Sequence, residues 1–376
     1  MPVPPALDDS DAVQYHYDQF PPASLDYQRL LPQLVKATDA LARYDQMLKG
    51  MHNSEIFLRP LRSQEAVISS RMEGTISTID EILRYEANLG DGSIVSETRA
   101  EVIETFLYQQ ALRGAQDAIG SGQPLTQYLL RTAHQTLLSF GRGAAESPGQ
   151  FKTEQNYLAD RSRRKILFVP ISPERLQSGL DSLFDYIANN DNVPLIKTAI
   201  SHVEFEALHP FKDGNGRIGR MLITLLLWQA KIISAPYFYI SGFFEENKDH
   251  YIDLMREVSA SGNWTSWCEF FLEAVEKQAF RNLAVAENIR QLYERMKQEF
   301  SDALASKWSL QALDYVFTNP VFWNSRFIRE SGIQAASAAR ITRILYERGL
   351  LHMLEAPSGR RPALFSFEPL VELVRV

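Results

Sequence analysis

His209-Pro210-Phe211-Lys212-Asp213-Gly214-Asn215-Gly216-Arg217-Ile218-Gly219-Arg220 is the stretch whose reading decides the fold. It joins two helical patterns. Pro194 opens the first, Leu195–Leu208, and Arg217–Lys231 is the second, strongly apolar through Met221, Leu222, Leu225 and Leu226. Pro210 should stop the first helix, because the residue before a proline disfavours helical geometry. That leaves the His209 ring at a helix end, facing a cleft. Gly214 and Gly216 flank Asn215, so all three can take positive φ or lie close to a ligand. Successive N–H groups in such a turn form an anion-binding nest, and the next helix adds its unpaired N–H groups. Arg217 and Arg220 lie three apart in the first helical turn. Asp213 adds a hard oxygen, as Mg²⁺ on phosphates requires. His209 titrates near neutral pH and could take a proton from a hydroxyl. Together these groups describe transfer of a phosphate-bearing group to a hydroxyl. Taken singly, each has an ordinary structural explanation, and the twelve contiguous residues carry the weight.

The same twelve residues resemble, at every fixed position, the Fic signature His-Pro-Phe-x-Asp/Glu-Gly-Asn-Gly-Arg-x-x-Arg. The resemblance implies a mainly α fold: a Fic helical core with a β-hairpin flap, an N-terminal helical region and a C-terminal winged helix. It implies transfer of AMP from ATP, with Mg²⁺, to a Ser, Thr or Tyr hydroxyl of a target protein or of the enzyme itself. His209 would be the general base and Asp213 the Mg²⁺ ligand. Gly214, Asn215 and Gly216 would cradle phosphates, and Arg217 and Arg220 would bind the β- and γ-phosphates. Ser241, Asn247 and Tyr251 fall where the family lines its adenine pocket. Another phosphate-bearing donor, or removal of AMP, is the neighbouring alternative. A zinc-like site from His202, Glu206 and His209 is the rival reading of one helical face, without a His-Glu-x-x-His order.

Ser69-Ser70-Arg71-Met72-Glu73-Gly74 resembles the inhibitory motif of many Fic proteins, Ser/Thr-x-x-x-Glu-Gly/Asn. It closes a helix expected over Pro60–Glu73, with Gly74 as its stop. Glu73 then falls in the last turn, where the helix dipole disfavours a carboxylate and a nearby cation would offset it. The resemblance names Arg220 as that cation. Ser69, Glu73 and Gly74 would thus form an autoinhibitory element in the same chain.

Residues 1–99 read as an N-terminal helical region that begins with a loosely ordered arm. Ser77-x-x-Asp80 reads as the capping pair of a helix over Thr78–Ala87. The Fic core is expected over 100–275 and a connecting helix over 276–305. Within the core, Asn156–Leu158 and Ile166–Val169 read as a hairpin around a basic tip, Arg161, Arg163, Arg164 and Lys165. By the resemblance this flap aligns a target segment. Residues 306–376 read as a winged-helix-like domain: helices Leu310–Phe317, Ser325–Ser331 and Ala335–Gly349, then strands Leu350–Leu354 and Ala363–Phe367.

Composition bounds the remaining functions. The 376 residues suit two or three domains, since a domain usually holds about 100–200. A formal charge of −7 argues against a protein that coats nucleic acid by bulk charge. Residues 321–368 hold seven Arg and four Glu, so a DNA-binding regulator acting through 306–376 is the alternative of another class. Gln334, Ser337, Arg340 and Arg343 are its few base-reading side chains. The single cysteine, Cys268, excludes an intramolecular disulfide and reads as a small buried hydrophobe. No targeting segment is expected, and the longest apolar run, Met221–Trp228, falls short of the ~20 residues of a membrane helix. Cytoplasmic location, pairing into a homodimer and no membrane partner complete the expectation.

Overall fold

A computed structural model describes residues 8–51, 54–90, 98–160, 165–359 and 361–375. Among these the chain is mainly α, as expected. In chain order the elements are β1 (Val13–Gln14), α1 (Tyr27–Lys49), α2 (Ser54–Met72), α3 (Ile79–Gly90), α4 (Ala100–Gly120) and α5 (Gln127–Leu137). There follow β2 (Leu158–Asp160), β3 (Lys165–Val169), α6 (Pro173–Asn189), α7 (Pro194–Leu208), α8 (Asn215–Gln229), α9 (Ser241–Glu246), α10 (Lys248–Ser261) and α11 (Trp264–Leu304). The tail comprises α12 (Ser309–Thr318), β4 (Val321–Trp323), α13 (Asn324–Glu330), α14 (Ala335–Glu347), β5 (His352–Glu355), β6 (Leu364–Ser366) and α15 (Glu368–Val374). Two compact units result. The first holds residues 1–45 and 110–280, the second 46–109 and 281–376.

In the first unit α7 and α8 form the centre. Twelve of the fifteen residues of each are buried, which follows from helices apolar on nearly all sides. The hairpin pairs β2 with β3 antiparallel, with Asp160 opposite Lys165. Its first strand begins two residues later than the sequence suggested. The tip residues Arg161, Arg163 and Arg164 lie outside the described residues. Lys165 donates to Asp11 at 2.9 Å.

The N-terminal arm is more ordered than its sequence suggested. β1 adds a parallel strand to β3, with Val13 opposite Phe168. Tyr15 Oη donates to Glu204 at 2.7 Å, and His16 Nε2 meets the other oxygen of that fully buried carboxylate at 2.8 Å. His16 Nδ1 meets Ser259 Oγ at 2.7 Å. A buried carboxylate on α7 needs such partners, and aperiodic sequence cannot announce that it supplies them. Cys268 is fully buried, and burial pushes its thiol up to about 12.

In the second unit α2 starts at Ser54, so Pro60 sits inside the helix rather than opening it. The capping box of α3 is one residue later than expected. Thr78 Oγ1 accepts from the Glu81 N–H (3.2 Å) and Glu81 Oε2 from the Thr78 N–H (2.9 Å). Both Ser77-x-x-Asp80 and Thr78-x-x-Glu81 satisfy the pattern. Ser77 is buried and spends its hydroxyl on Thr105 at 2.9 Å. The three expected tail helices, α12 to α14, are joined by a three-stranded antiparallel sheet, order β4-β6-β5, and a fourth helix, α15; β4 and α15 are elements the sequence reading lacked. Arg340 and Arg343 are exposed on α14, and Arg343 lies 3.8 Å from Glu347.

Candidate active site

The backbone of the joint between α7 and α8 is set by two left-handed residues. His209 caps α7 at φ 46°, ψ 60°, and Gly214 precedes α8 at φ 80°. Pro210 ends the helix as expected. Asn215 and Gly216, which could have taken positive φ, are instead the first residues of α8. Asn215 is a clamp: its Oδ1 accepts the Phe211 N–H (2.8 Å) and its Nδ2 donates to the Phe211 carbonyl (2.7 Å). Its side-chain amide is therefore committed to the loop, leaving the backbone of 214–216 at a helix N-terminus as its offering to an anion.

His209 Nδ1 lies 3.3 Å from the Glu206 carbonyl. A carbonyl only accepts, so that nitrogen carries the proton and the lone pair sits on Nε2. Arg217 and Arg220 are both buried, 3% exposed. Arg217 reaches the Asp213 carboxylate at 3.6 Å through Nη2, while its buried Nε and Nη1 have no hydrogen-bond partner among the described residues. Unsatisfied buried guanidinium N–H groups are costly, and bound phosphate oxygens would satisfy them. Asp213 Oδ1 accepts the Gly214 N–H at 2.7 Å, and the side chain is half exposed. One accessible carboxylate beside an anion site fits Mg²⁺, which binds through one or two carboxylates plus substrate phosphates and water.

Sequence reasoning missed the groups that hold this loop. His134 on α5 stacks on Phe211 with centroids 3.8 Å apart and planes at 6°. Its Nδ1 accepts the Gly149 N–H (2.8 Å), so Nε2 carries the proton and donates to the Asp213 carbonyl (2.9 Å). Burial pushes His134 down to about 4, so it is neutral at pH 7. Lys152 Nζ donates to the Leu208 carbonyl (3.1 Å) and to Asn156 Oδ1 (2.7 Å), and its backbone N–H donates to Pro210 (2.8 Å). Burial lowers its ammonium to about 7. Asn156 Nδ2 donates to the carbonyls of His209 and Phe211, each at 3.0 Å. His134 lies on the apolar stripe of α5, which was a usable signal. Lys152 lies in a loop, where nothing in the sequence marks a lysine as buried.

His202 overturns the metal reading. Its Nδ1 donates to the Gly219 carbonyl (3.0 Å), and its Nε2 accepts from Tyr251 Oη (2.8 Å). Burial, helped by the Arg220 charge, lowers it to about 3. Among the described residues no group of three or more His, Cys, Asp or Glu could hold a metal. An added Cβ at Gly219 would lie 2.1 Å from Glu206 Oε1, so the Glu206 carboxylate would have to move. Tyr251 is buried on α10 and stacks on Phe244 at 4.4 Å. With its hydroxyl directed to His202, it offers a ring. Ser241 is buried at the start of α9, and Asn247, between α9 and α10, donates to the Phe243 carbonyl (2.9 Å).

Glu73 lies in the second unit. α2 ends at Met72, one residue before it, and the Glu73 N–H donates to Ser70 (3.0 Å). Gly74 at φ 82° completes the stop. Glu73 is exposed, whereas Ser69 is fully buried.

Residues 31–117 match the Fic/DOC family N-terminal model and residues 124–227 the Fic/DOC family model. The chain belongs to the Fic/DOC family. It is similar to a probable protein adenylyltransferase of Aquifex aeolicus (strain VF5), 29% identical over 92 residues, 24% of this chain and 26% of that protein. It is similar also to protein adenylyltransferase fic-1 of Caenorhabditis elegans, 31% identical over 85 residues, 22% of this chain and 15% of that one. The chain thus spans about a quarter or less of the length of these relatives. A solved Fic family protein from Desulfovibrio desulfuricans G20 shares the fold: TM-score 0.57, 18% identity, 92% of this chain and 98% of that one. No helix among the described residues is long and apolar enough to cross a membrane.

Proposed function

We propose that this Fic protein transfers AMP from ATP to a Ser, Thr or Tyr hydroxyl of a target protein, itself included, and that Glu73 restrains it. The observation that carries the reading is Arg217: a buried guanidinium in the first turn of α8, with two nitrogens that find no hydrogen-bond partner among the described residues. Polyphosphate answers all of these groups at once. The names of the relatives agree with it.

The chemistry follows from the residues. Nε2 of His209 takes the proton of the target hydroxyl. The hydroxyl oxygen bonds to the α-phosphorus, and the bond from that phosphorus to the bridging oxygen breaks. Pyrophosphate departs with the electron pair. Arg217, Arg220 and the N–H groups of 214–216 hold the phosphates, which is the positioning and charge stabilisation that phosphate transfer chiefly needs. Asp213 would hold Mg²⁺, which supplies positive charge to the phosphate oxygens when bound. Tyr251, Ser241 and Asn247 would flank the base. Glu73 would compete for Arg220, so that the competent arrangement is a minority and apparent activity falls with its population.

Incubation with ATP labelled at the α-phosphate and Mg²⁺ tests this. Weak self-labelling is expected of the wild type. Glu73→Gly should raise it about tenfold or more, as release of a state populated at a tenth or less requires. His209→Ala should abolish it. Equal labelling of all three would sink the proposal.

A further inference from the structure

We infer that the C-terminal helices and sheet are the seat of the helix that carries Glu73, so that the strength of the restraint is set from the tail. This rests on the reading of Glu73 above. The observation is that α2 and α3, which bracket Glu73, share one apolar core with the tail. Val67 of α2 and Ile79, Ile82, Leu83 and Ala87 of α3 belong to the same buried cluster as Phe317, Trp323, Phe327 and Val371. More than two hundred residues of sequence separate the two groups, yet they pack into one buried cluster.

Polar contacts fix the same arrangement at three places. On α2, Arg59 donates through Nη1 to the Thr318 carbonyl (3.0 Å) and Asn319 Oδ1 (2.9 Å), and through Nη2 to Glu86 on α3 (3.0 Å). At the start of α3, Asp80 receives both arms of Arg375, at 2.8 and 3.1 Å. At its end, Asn88 accepts the indole N–H of Trp323 (2.9 Å), and Arg329 donates to the Gly90 carbonyl (2.6 Å). The Arg326 guanidinium packs over Gly90, where an added Cβ would lie 2.3 Å from it and displace it. A second support comes from α4, where Glu104 accepts from Thr75 (3.3 Å) and Glu65 from Tyr108 (3.1 Å). Glu73 sits in the short connection between two helices pinned from both sides.

A carboxylate competes for a distant guanidinium only if its helix holds still. Loosening the tail contacts lets α2 and α3 sample other positions and lowers the effective concentration of Glu73 at its partner. The tail is then a handle: anything that grips it shifts the population of the unrestrained state.

Arg59→Ala and Arg375→Ala cut the contacts while leaving the apolar core in place. Each should raise self-labelling from α-labelled ATP about threefold or more, and the pair together should approach Glu73→Gly. In a Glu73→Gly background neither should raise it further, since nothing remains to release. A rise of the same size in that background, or no rise in the wild-type background, overturns the inference. Amide hydrogen exchange of residues 66–90 reads the seat independently of Glu73. Arg59→Ala and Arg375→Ala should speed it, and unchanged exchange overturns the seat. Failure of Glu73→Gly to raise labelling, with exchange accelerated, would sink the restraint while sparing the seat.

Discussion

The joint at 209–220 and the segment at 69–74 are built in opposite ways. The first assembles its polar groups from twelve consecutive residues. Two left-handed residues and one asparagine clamp set its backbone, His134, Lys152 and Asn156 brace it from earlier in the chain, and the polar groups themselves are consecutive. The second is a single exposed carboxylate at the end of a helix, where local bonds to Ser70 and the Gly74 turn shape the backbone but leave the helix itself to be positioned by distant contacts. Its position comes from α3, α4 and a tail that begins more than two hundred residues later. Local chemistry survives as a pattern of residue types at fixed spacing. Position does not, because a packed core accepts many side chains of the right volume and polarity. A short motif in such a segment therefore gains meaning only from what holds it.

The largest effect that would sharpen this contrast lies in the second unit. Trp323 is fully buried, packs in the core shared by α3 and the tail, and donates to Asn88. Trp323→Ala should cost about 3–5 kcal/mol of that unit's stability. Trp323→Phe keeps the ring volume approximately and leaves Asn88 without its donor, so about 1–2 kcal/mol is expected. Denaturant titration followed by hydrogen exchange of 66–90 would check both. If Trp323→Ala leaves exchange in α3 unchanged, the segment does not depend on the tail, and the contrast fails.

The fold class and the order of helices around the joint were legible because α7 and α8 are apolar helices with a proline and glycines between them. The backbone layout of the candidate site at 209–220 was legible for the same reason. Three things were not. The arm was read as loose because residues 12–20 have no period, yet Tyr15 and His16 pair with a buried glutamate that sequence alone does not mark as buried. The capping box slipped by one because two overlapping patterns compete, and burial of Ser77 decides between them. Lys152 went unnoticed because a lysine in a loop is ordinarily solvated, while here it holds the carbonyl before His209. Each miss concerns a contact across long sequence separation, which periodicity cannot report.

A smaller effect probes the first unit through pH. His134 holds the loop in its neutral form, with its pKa near 4 against about 6.5 unfolded. The unfolded chain therefore binds the extra proton first. The stabilisation is fully present above pH 6.5 and is lost as pH falls from 6.5 towards 4. His134 alone should account for about 2–3 kcal/mol between pH 7 and pH 4.5. His202, lowered to about 3, acts in the same direction. Denaturant titrations of wild type and His134→Gln across this range would measure it. The variant should be less stable at pH 7 and show a flatter loss on acidification. Parallel curves would mean that His134 is not neutral in the folded loop.

The smallest effect separates the two regions most cleanly. Asn215 makes two hydrogen bonds to one residue, Phe211, so Asn215→Ala removes both and leaves the buried Phe211 N–H unpaired, while the carbonyl keeps Asn156 Nδ2. A cost of about 1–3 kcal/mol is expected, confined to the first unit. A two-unit chain need not unfold in one step. Tryptophan fluorescence should follow both units: Trp228, Trp264 and Trp267 report the first, and Trp308 and Trp323 the second, of which Trp308 remains in Trp323→Phe. Asn215→Ala, compared with Trp323→Phe, should shift the transition of the first unit and spare that of the second. Hydrogen exchange should divide the same way, faster over 205–220 in Asn215→Ala and over 66–90 in Trp323→Phe. If each substitution loosens both stretches equally, the units unfold as one body, and the local character of the joint belongs to its chemistry alone.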